Sequence, residues 1–176
     1  MPGIDESRPF RPLAIAVITV SDTRTEADDR SGQMLIDKLT AAGHHLAERV
    51  IVKDDLAAIA DALTRYIDDP NVHVVLATGG TGVTGRDVTP EAFERVVEKT
   101  IPGFGELFRM LSYQQIGTST IQSRALAGVA RGTYLFALPG STNACRDAWD
   151  WILAQQLDIR YRPCNFAELF ARLTER

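Results

Sequence analysis

The sequence has few of the residues that build disulfide frameworks and metal sites. It contains two cysteines, Cys145 and Cys164, among 176 residues, and no Cys-x-x-Cys pair. Two cysteines are too few for a disulfide framework, so we expect a reducing, cytoplasmic compartment and assign both thiols to packing rather than catalysis. The three histidines, His44, His45 and His73, do not have the spacing of metal ligands, and we predict no histidine metal site.

The chain also lacks an excess of basic residues and an apolar run long enough to span a membrane. Its 19 lysines and arginines against 23 acids give a net charge of −4 and a pI of about 5.4. The apolar run at residues 13–20 follows Arg8 and Arg11 but precedes no small-residue cleavage pattern, and it is far shorter than a membrane span. We therefore expect neither nucleic acid nor a membrane as partner, and any anion site must be local.

Length and composition suit a single domain. With 176 residues, 45% of them hydrophobic, the chain can bury roughly two thirds of its unfolded surface around one core. Residues 1–11 carry prolines, a glycine and charged residues with only scattered apolar ones. We predict a flexible N-terminal arm at residues 1–11 and one domain at residues 12–176.

Short apolar segments alternate with amphipathic helical patterns along the chain. Residues 13–20, 72–77 and 133–138 are apolar on both faces, which is typical of strands covered by helices on each side. Apolar residues recur at helical spacing after the capping oxygens of residues 28–31 and of Asp55, which indicates helices. The alternation predicts a three-layer α/β/α fold with a mostly parallel sheet.

The most informative stretch, TGGTGVTGRDVTPEA at residues 78–92, directly follows the strand at residues 72–77. We call residues 79–87 the glycine loop. Its glycines allow positive φ angles and close approach to a ligand, so backbone N–H groups can surround an anion. Arg86 can pair with a phosphate, and Asp87 can hold a metal ion. The spacing fits neither a Walker P-loop nor a dinucleotide fingerprint, and the alternative is a turn that only permits a tight connection.

Polar residues also follow the other strands. Residues 21–23 follow the strand at residues 13–20, Asp54 follows a shorter predicted strand at residues 46–52, and residues 139–141 follow the strand at residues 133–138. Ligands bind outside the carboxyl ends of the strands in open α/β sheets, so we expect these turns to lie beside the glycine loop. The alternatives are local capping by Ser21 or Asp22 and a solvated Asp54.

Three further local structures are predicted. Thr89 is the expected N-cap of the helix after the glycine loop, with Pro90 at the first helical position. Residues 121–129 fit a small-residue helix or an irregular turn. Glu106 and Arg109 lie three positions apart on a helix, and we expect them to pair with each other, the alternative being contact with a ligand.

Six groups of residues together resemble the MogA/MoaB family of molybdenum cofactor biosynthesis proteins, most closely its MoaB branch. They are VSD at residues 20–22, DRSG at 29–32, TGGTG and RDVTPEA within 78–92, GFGE at 103–106, SRA at 123–125 and LPGS at 138–141. The resemblance covers nearly the whole chain after the N-terminal arm. It implies a Rossmann-like α/β domain that forms homotrimers or homohexamers and binds molybdopterin, a pterin with a dithiolene and a terminal phosphate.

The active branch of that family uses ATP and Mg²⁺ to adenylylate the terminal phosphate of molybdopterin. The resemblance therefore implies a molybdopterin adenylyltransferase, with other proteins of the molybdenum cofactor pathway as partners. Asp54 and Asp87 would be its catalytic acids and would hold Mg²⁺. The residues expected to bind substrate or phosphate are Ser21, Gly79, Gly80, Thr81, Gly82, Arg86, Ser123, Arg124, Gly140 and Ser141.

The sequence leaves two alternatives to an adenylyltransferase. Lys53 stands before Asp54 where the active branch often has proline, and residues 116–165 have the MoaB pattern, which does not guarantee adenylylation. The first alternative is therefore a molybdopterin-binding carrier or assembly protein without catalysis. The second is a nucleotide pyrophosphatase, because the same module occurs in proteins that act on other phosphorylated ligands.

Overall fold

A six-stranded sheet forms the centre of the protein in the computed structural model, which describes residues 1–175. The strands of the described residues, of which β1 and β8 lie outside this sheet, are β1 (Gly3–Ile4), β2 (Ala14–Val20), β3 (His45–Val52), β4 (Val74–Thr78), β5 (Lys99–Thr100), β6 (Leu126–Ala130), β7 (Thr133–Leu138) and β8 (Tyr161–Arg162). The order in the large sheet is β3-β2-β4-β7-β6-β5. Its first four strands are parallel, and β6 is antiparallel to both of its neighbours, which confirms the mostly parallel sheet.

Helices connect these strands. They are α1 (Arg30–Ala41), α2 (Leu56–Ile67), α3 (Thr89–Val96), α4 (Pro102–Ile116), α5 (Thr142–Ala148) and α6 (Ala154–Gln156), with 3-10 segments at Gly117–Gln122 and Phe166–Arg172 and a π-helical turn at Trp149–Leu153. The carboxyl group of Asp29 accepts the N–H of Gly32 at the start of α1, and Asp55 accepts the N–H of Ala58 at the start of α2. Both predicted caps are confirmed.

The helices cover both faces of the sheet. Along β2, Ile15 and Val17 belong to one buried cluster and Ala16 and Ile18 to the other, and all four are 0% exposed. The first cluster includes apolar residues of α1, α4 and α5, and the second includes those of α2 and α3. The three-layer α/β/α fold is therefore confirmed, with each fully buried aliphatic side chain contributing about 1.5–3 kcal/mol.

Strand β6 replaces part of the predicted helix or irregular turn at residues 121–129. Leu126–Ala130 pairs with β7 along its whole length, so the prediction was wrong for this part. The cause is tertiary packing, because a Cβ on Gly128 would lie 2.4 Å from the Val97 Cγ1 atom. Only a glycine lets α3 and its exit approach the strand this closely.

In the described part of the chain, Arg109 on α4 does not pair with Glu106, so the predicted ion pair between them was wrong. Its guanidinium donates instead to the backbone oxygens of Ser123 and Ala125, at 3.3 and 3.0 Å. Two carbonyl groups that precede β6 thereby gain a charged donor, which outweighs an ion pair on the surface of one helix.

The N-terminal segment contributes a small strand of its own. Gly3–Ile4 forms an antiparallel two-stranded ribbon with Tyr161–Arg162. The flexibility of residues 1–11 stays a prediction. Across residues 1–175, no helix combines the length and the apolar character that crossing a membrane requires.

One cysteine and two of the histidines have structural contacts. Cys145 is buried, with its thiol 3.1 Å from the Thr78 hydroxyl, whereas Cys164 is exposed, so the assignment to packing was wrong for Cys164. The Nδ1 atoms of His44 and His73 accept the N–H groups of two consecutive residues, Leu13 and Ala14, at 3.1 and 2.9 Å. These histidines therefore fix the start of β2.

Candidate functional site

The carboxyl ends of the four parallel strands meet at one edge of the sheet. The N–H of Gly79 donates to the Leu138 oxygen at 3.0 Å, which joins the glycine loop to the turn after β7. The N–H of Ser21 donates to the Val52 oxygen at 2.9 Å, which joins the turns after β2 and β3. The polar turns that the sequence places after separate strands are therefore brought together.

Two glycines give the glycine loop its path. Gly79 and Gly80 have φ angles of +105° and +64°, which residues with a Cβ rarely adopt. A Cβ on Gly79 would lie 2.4 Å from the Val20 backbone oxygen, and one on Gly80 would lie 2.4 Å from the Thr89 Oγ1 atom. Both positions therefore need glycine for space as well as for conformation.

Thr89 holds the glycine loop instead of capping the helix after it. Helix α3 begins at Thr89 itself, and its N-cap, Val88, makes no side-chain cap, so the predicted N-cap was wrong. The buried Thr89 hydroxyl donates to the Gly79 oxygen at 2.8 Å, and its N–H donates to the Gly80 oxygen at 3.0 Å. The glycine loop folds back over the start of α3, so its backbone oxygens accept both the hydroxyl and the N–H of Thr89.

Asp87 closes the glycine loop at its other end. Its carboxylate accepts the hydroxyl and the N–H of Thr84, at 2.6 and 2.9 Å. The pKa of Asp87 is below its usual value, mainly because of the hydrogen bond from the Thr84 hydroxyl. The N–H groups of Thr84 and Gly82 and the positive charge of Arg124 lower it further, whereas partial burial opposes the shift. Asp87 is thus a fixed carboxylate at neutral pH.

Asp54 has the opposite electrostatic environment. Its Oδ1 atom is buried and has no hydrogen-bond partner within residues 1–175. Burial, and then the negative charge of Asp87, raise the pKa of Asp54, although the nearby backbone N–H of Val88 opposes the shift. An acceptor that is removed from water without a partner is costly, and this one lies so close to Gly80 that a Cβ there would be 2.9 Å from it. It is suited to a ligand donor or a cation.

Arg124 supports the glycine loop from the side. Its guanidinium donates to the oxygens of Gly82 and Asp87, at 2.7 and 2.6 Å, and pairs with the Glu91 carboxylate. Its N–H also donates to the Thr81 oxygen at 2.9 Å. These contacts engage all three guanidinium nitrogens, so Arg124 holds the loop in shape.

The side chains of Arg86 and Ser21 both contact the turn after β2. The Arg86 guanidinium pairs with the Asp22 carboxylate, and the Arg86 side chain is 75% exposed. The Ser21 hydroxyl accepts the N–H groups of Thr23 and Arg24, at 3.3 and 3.2 Å. Ser21 therefore makes the local turn that the sequence left as an alternative.

A cavity of about 530 Å³ opens beside the glycine loop. The predicted site residues in its wall are Gly80, Thr81, Gly82, Asp87, Ser123, Gly140 and Ser141. Ser141 also caps α5, where its Oγ atom accepts the N–H of Ala144 at 3.2 Å. The other predicted residues lie outside the wall and are Ser21, Asp54, Gly79, Arg86 and Arg124.

The sequence did not identify the helical part of the cavity wall. This part includes Ser112 and Gln115 of α4 and Asn143 and Asp147 of α5. Their spacings of three and four place each pair on one helix face, but polar residues at such spacing ordinarily face solvent. Among the described residues, neither a lysine nor an arginine lines the cavity.

The two acids fit one kind of metal ion. No group of three or more histidine, cysteine, aspartate or glutamate residues within positions 1–175 could hold a metal. Mg²⁺ in nucleotide sites needs only one or two carboxylates, because phosphates and water complete its coordination. The unpartnered Oδ1 atom of Asp54, together with Asp87, fits that requirement.

Fold and site together define the class of protein. The family model described as "Probable molybdopterin binding domain" matches residues 16–158, which include the glycine loop, the cavity and all of the large sheet except the first two residues of β2.

The particular family follows from individual relatives. The chain is 53% identical over 160 residues to Molybdenum cofactor biosynthesis protein B of Escherichia coli (strain K12), covering 91% of this chain and 94% of that protein. It is 46% identical over 142 residues to the Bacillus subtilis (strain 168) protein of the same name, with coverage of 80% and 84%. A crystal structure of Molybdenum cofactor biosynthesis protein B has a TM-score of 0.86 at 39% identity, covering 96% of this chain and all of that one. The chain belongs to the molybdenum cofactor biosynthesis protein B (MoaB) family and has a role in molybdenum cofactor biosynthesis.

Proposed function

We propose that the protein binds molybdopterin and adenylylates its terminal phosphate with Mg-ATP. The observation that carries the proposal is the pair of acids beside the glycine loop. Asp54 has a buried acceptor without a partner in the described chain, and burial and the charge of Asp87 raise the pKa of Asp54. Paired carboxylates next to a phosphate-binding loop are the usual equipment for nucleotidyl transfer.

The cavity supports binding of a molecule as large as molybdopterin. Its volume of about 530 Å³ falls within the range of about 300–1,000 Å³ for small-molecule sites. Backbone N–H groups of the glycine loop and the hydroxyl of Ser123 can donate to a phosphate. The amides of Gln115 and Asn143, which also line the cavity, can meet the polar edge of a ring.

The proposed reaction requires mainly positioning. An oxygen of the molybdopterin phosphate attacks the α-phosphorus of ATP, a new P–O bond forms, and the bond to the β-phosphate breaks with release of pyrophosphate. An ionised phosphate needs no proton acceptor, so the protein contributes orientation and charge stabilisation. The Thr84 and Arg124 contacts of the loop hold Asp87 in place for this.

Asp54 and Asp87 would hold the magnesium ion. When bound, Mg²⁺ neutralises charge on the phosphate oxygens. The Asp54 carboxylate gains more from a neighbouring cation than a solvated carboxylate does, because burial disfavours its charge.

We further propose that the protein assembles as a homotrimer or homohexamer. Helix α4 exposes several large apolar side chains, and these are Leu107, Met110, Tyr113 and Ile116. Such exposure is typical of surfaces that meet another chain. Light scattering after size-exclusion chromatography tests the assembly, and a monomer at micromolar concentration would refute it.

The experiment that tests the reaction combines purified protein, molybdopterin, Mg²⁺ and ATP. Adenylyl-molybdopterin and pyrophosphate are followed by chromatography for the parent protein and for Asp87→Asn. We expect product from the parent and none from the variant, with pterin binding largely retained. The control is Asp61→Asn, an exposed acid on α2, which should react like the parent. Equal turnover by Asp87→Asn would refute the role of Asp87.

A second candidate is a molybdopterin carrier or assembly protein without catalysis. One observation favours it, since the cavity wall formed by described residues has no lysine or arginine and Arg124 is engaged by the glycine loop. Phosphoryl-transfer sites commonly use a cation from the protein. Tight pterin binding without pyrophosphate release would select this function, and multiple turnovers would exclude it.

A further inference from the structure

Three charged residues at neighbouring strand ends form a chain of contacts. Asp22 follows β2, Asp54 follows β3, and Arg86 lies in the glycine loop after β4. One carboxylate oxygen of Asp22 pairs with the Arg86 guanidinium, and the other accepts the backbone N–H of Asp54 at 3.2 Å. Asp22 therefore connects the arginine of the glycine loop to the turn that carries the unpartnered acid.

Stability of the fold does not account for this ion pair. The Arg86 side chain is 75% exposed, and exposed ion pairs contribute little to folding. Among the described residues, its guanidinium bonds only to Asp22, although a guanidinium has five N–H donors. Arg124, in contrast, has all three nitrogens engaged by the loop. Arg86 is thus the arginine of this region that can change partner at low cost.

A carboxylate and a phosphate present similar oxygen acceptors to a guanidinium. Asp22 therefore occupies the position on Arg86 that a phosphate would occupy. We infer that Asp22 is a positioning residue that holds Arg86 at the glycine loop in the free protein and gives it up to the phosphates of Mg-ATP. This inference rests on the proposed function. In this arrangement Asp22 competes with the nucleotide for Arg86 while it keeps the arginine nearby.

A double-mutant cycle on the affinity for Mg-ATP tests the competition. Asp22→Asn removes the charge but keeps an oxygen that accepts the Asp54 N–H, so the turn after β3 is preserved. We expect its dissociation constant, measured by isothermal titration calorimetry, to fall about two- to fivefold, in keeping with an exposed ion pair. Arg86→Gln should raise the constant about tenfold or more through loss of a charged phosphate contact. The double variant should equal Arg86→Gln.

The double variant separates exchange of partners from general charge repulsion. If Asp22 only repels the nucleotide, the gain from Asp22→Asn persists in the Arg86→Gln background, and the inference is overturned. The matched control is Asp68→Asn, which breaks the exposed pair of Asp68 with Arg131. Helix α2 ends there and β4 begins shortly after, so this pair lies at the opposite edge of the sheet. It should leave the affinity unchanged, and thermal unfolding verifies that every variant is folded.

Failure of the inference differs from failure of the proposed function. If the parent protein binds no Mg-ATP, the proposed adenylylation fails and the inference fails with it. If the parent binds Mg-ATP but Asp22→Asn binds it equally or more weakly, only the inference is overturned.

Discussion

Burial and the nearby charge of Asp87 together raise the pKa of Asp54, although β2 lies between the strands that these two residues follow. The pKa of Asp87 shifts the other way, because the Thr84 hydroxyl and backbone N–H groups stabilise its charge. One acid is therefore held ionised and the other is ionised at a cost. A cation bound between them would remove that cost, which makes Asp54 the sensitive member of the pair.

Replacing Asp54 with asparagine should stabilise the free protein at pH 7 by about 0.5–1 kcal/mol, because it removes a poorly compensated charge. The raised pKa of folded Asp54 means that the parent loses stability as the pH rises from the ordinary value of 3.8 through the raised value. The advantage of Asp54→Asn should thus be absent below this window and complete above it. Urea unfolding at pH 3.5 to 7.5 measures it, and saturating Mg²⁺ should favour the parent. Equal stability at pH 7 would contradict the account.

Alanine at Gly79 should destabilise the protein by about 2 kcal/mol or more. The φ angle of +105° is unfavourable for alanine, and the new Cβ would lie 2.4 Å from the rigid Val20 backbone oxygen. Gly85→Ala in the same loop is the control, because no described residue other than its chain neighbours lies within 4 Å of its Cβ position, and it should change stability by less than about 0.5 kcal/mol. Urea unfolding compares the two, and similar effects would contradict the assigned loop path.

Lysine at Arg124 should loosen the glycine loop. An ammonium group can keep the Glu91 contact but cannot also reach the oxygens of Gly82 and Asp87, so we expect a loss of about 1–3 kcal/mol. Amide hydrogen exchange in residues 80–88 should become faster. Arg146→Lys is the control, since among residues 1–175 Arg146 bonds only to the nearby Asn143 side chain. Unchanged exchange in Arg124→Lys would show that the loop keeps its shape without this arginine.

Acid should destabilise the protein through His44. Burial lowers the pKa of His44 to about 4 from an ordinary value of 6.5, although the charge of Asp158 opposes the shift. Stability from the neutral ring is complete above pH 6.5 and is lost as the pH falls towards 4, by up to about 3 kcal/mol.

Substituting His44 with asparagine tests this effect, because asparagine keeps an acceptor for the Leu13 N–H. The pH dependence of unfolding between pH 6.5 and 4 should become flatter in His44→Asn. The exposed neighbour provides the control variant, His45→Asn, which should retain the dependence of the parent. A parent protein whose stability does not change across this range would contradict the prediction.

The sequence predicts those parts of the fold that depend on nearby residues. Asp29 and Asp55 cap helices through N–H groups three positions away, and such contacts are visible in a sequence pattern. Thr89 is different, because its hydroxyl reaches the oxygen of Gly79, ten residues earlier. That bond depends on how the glycine loop folds back. Strand β6 likewise owes its conformation to β7 and to Val97, not to the period of its own residues.

The site was predictable to a similar extent. Its glycines and acids could be recognised because few other residues suit those backbone angles and that chemistry. The direction of a long side chain could not be predicted. Arg124 donates to the backbone of the glycine loop, whereas Arg86 pairs with Asp22. The unpartnered oxygen of Asp54 also depends on which groups fail to reach it, and a sequence does not record that.

The contrast between the two cysteines makes the native protein suitable for labelling at a single position. Burial raises the pKa of Cys145 to about 12, so its thiol stays protonated and shielded, whereas Cys164 is exposed. A maleimide probe would attach to Cys164 in the folded state and mark the C-terminal part of the chain. Later modification of Cys145 would then time the opening of the core between β4 and α5, since its thiol contacts Thr78 there.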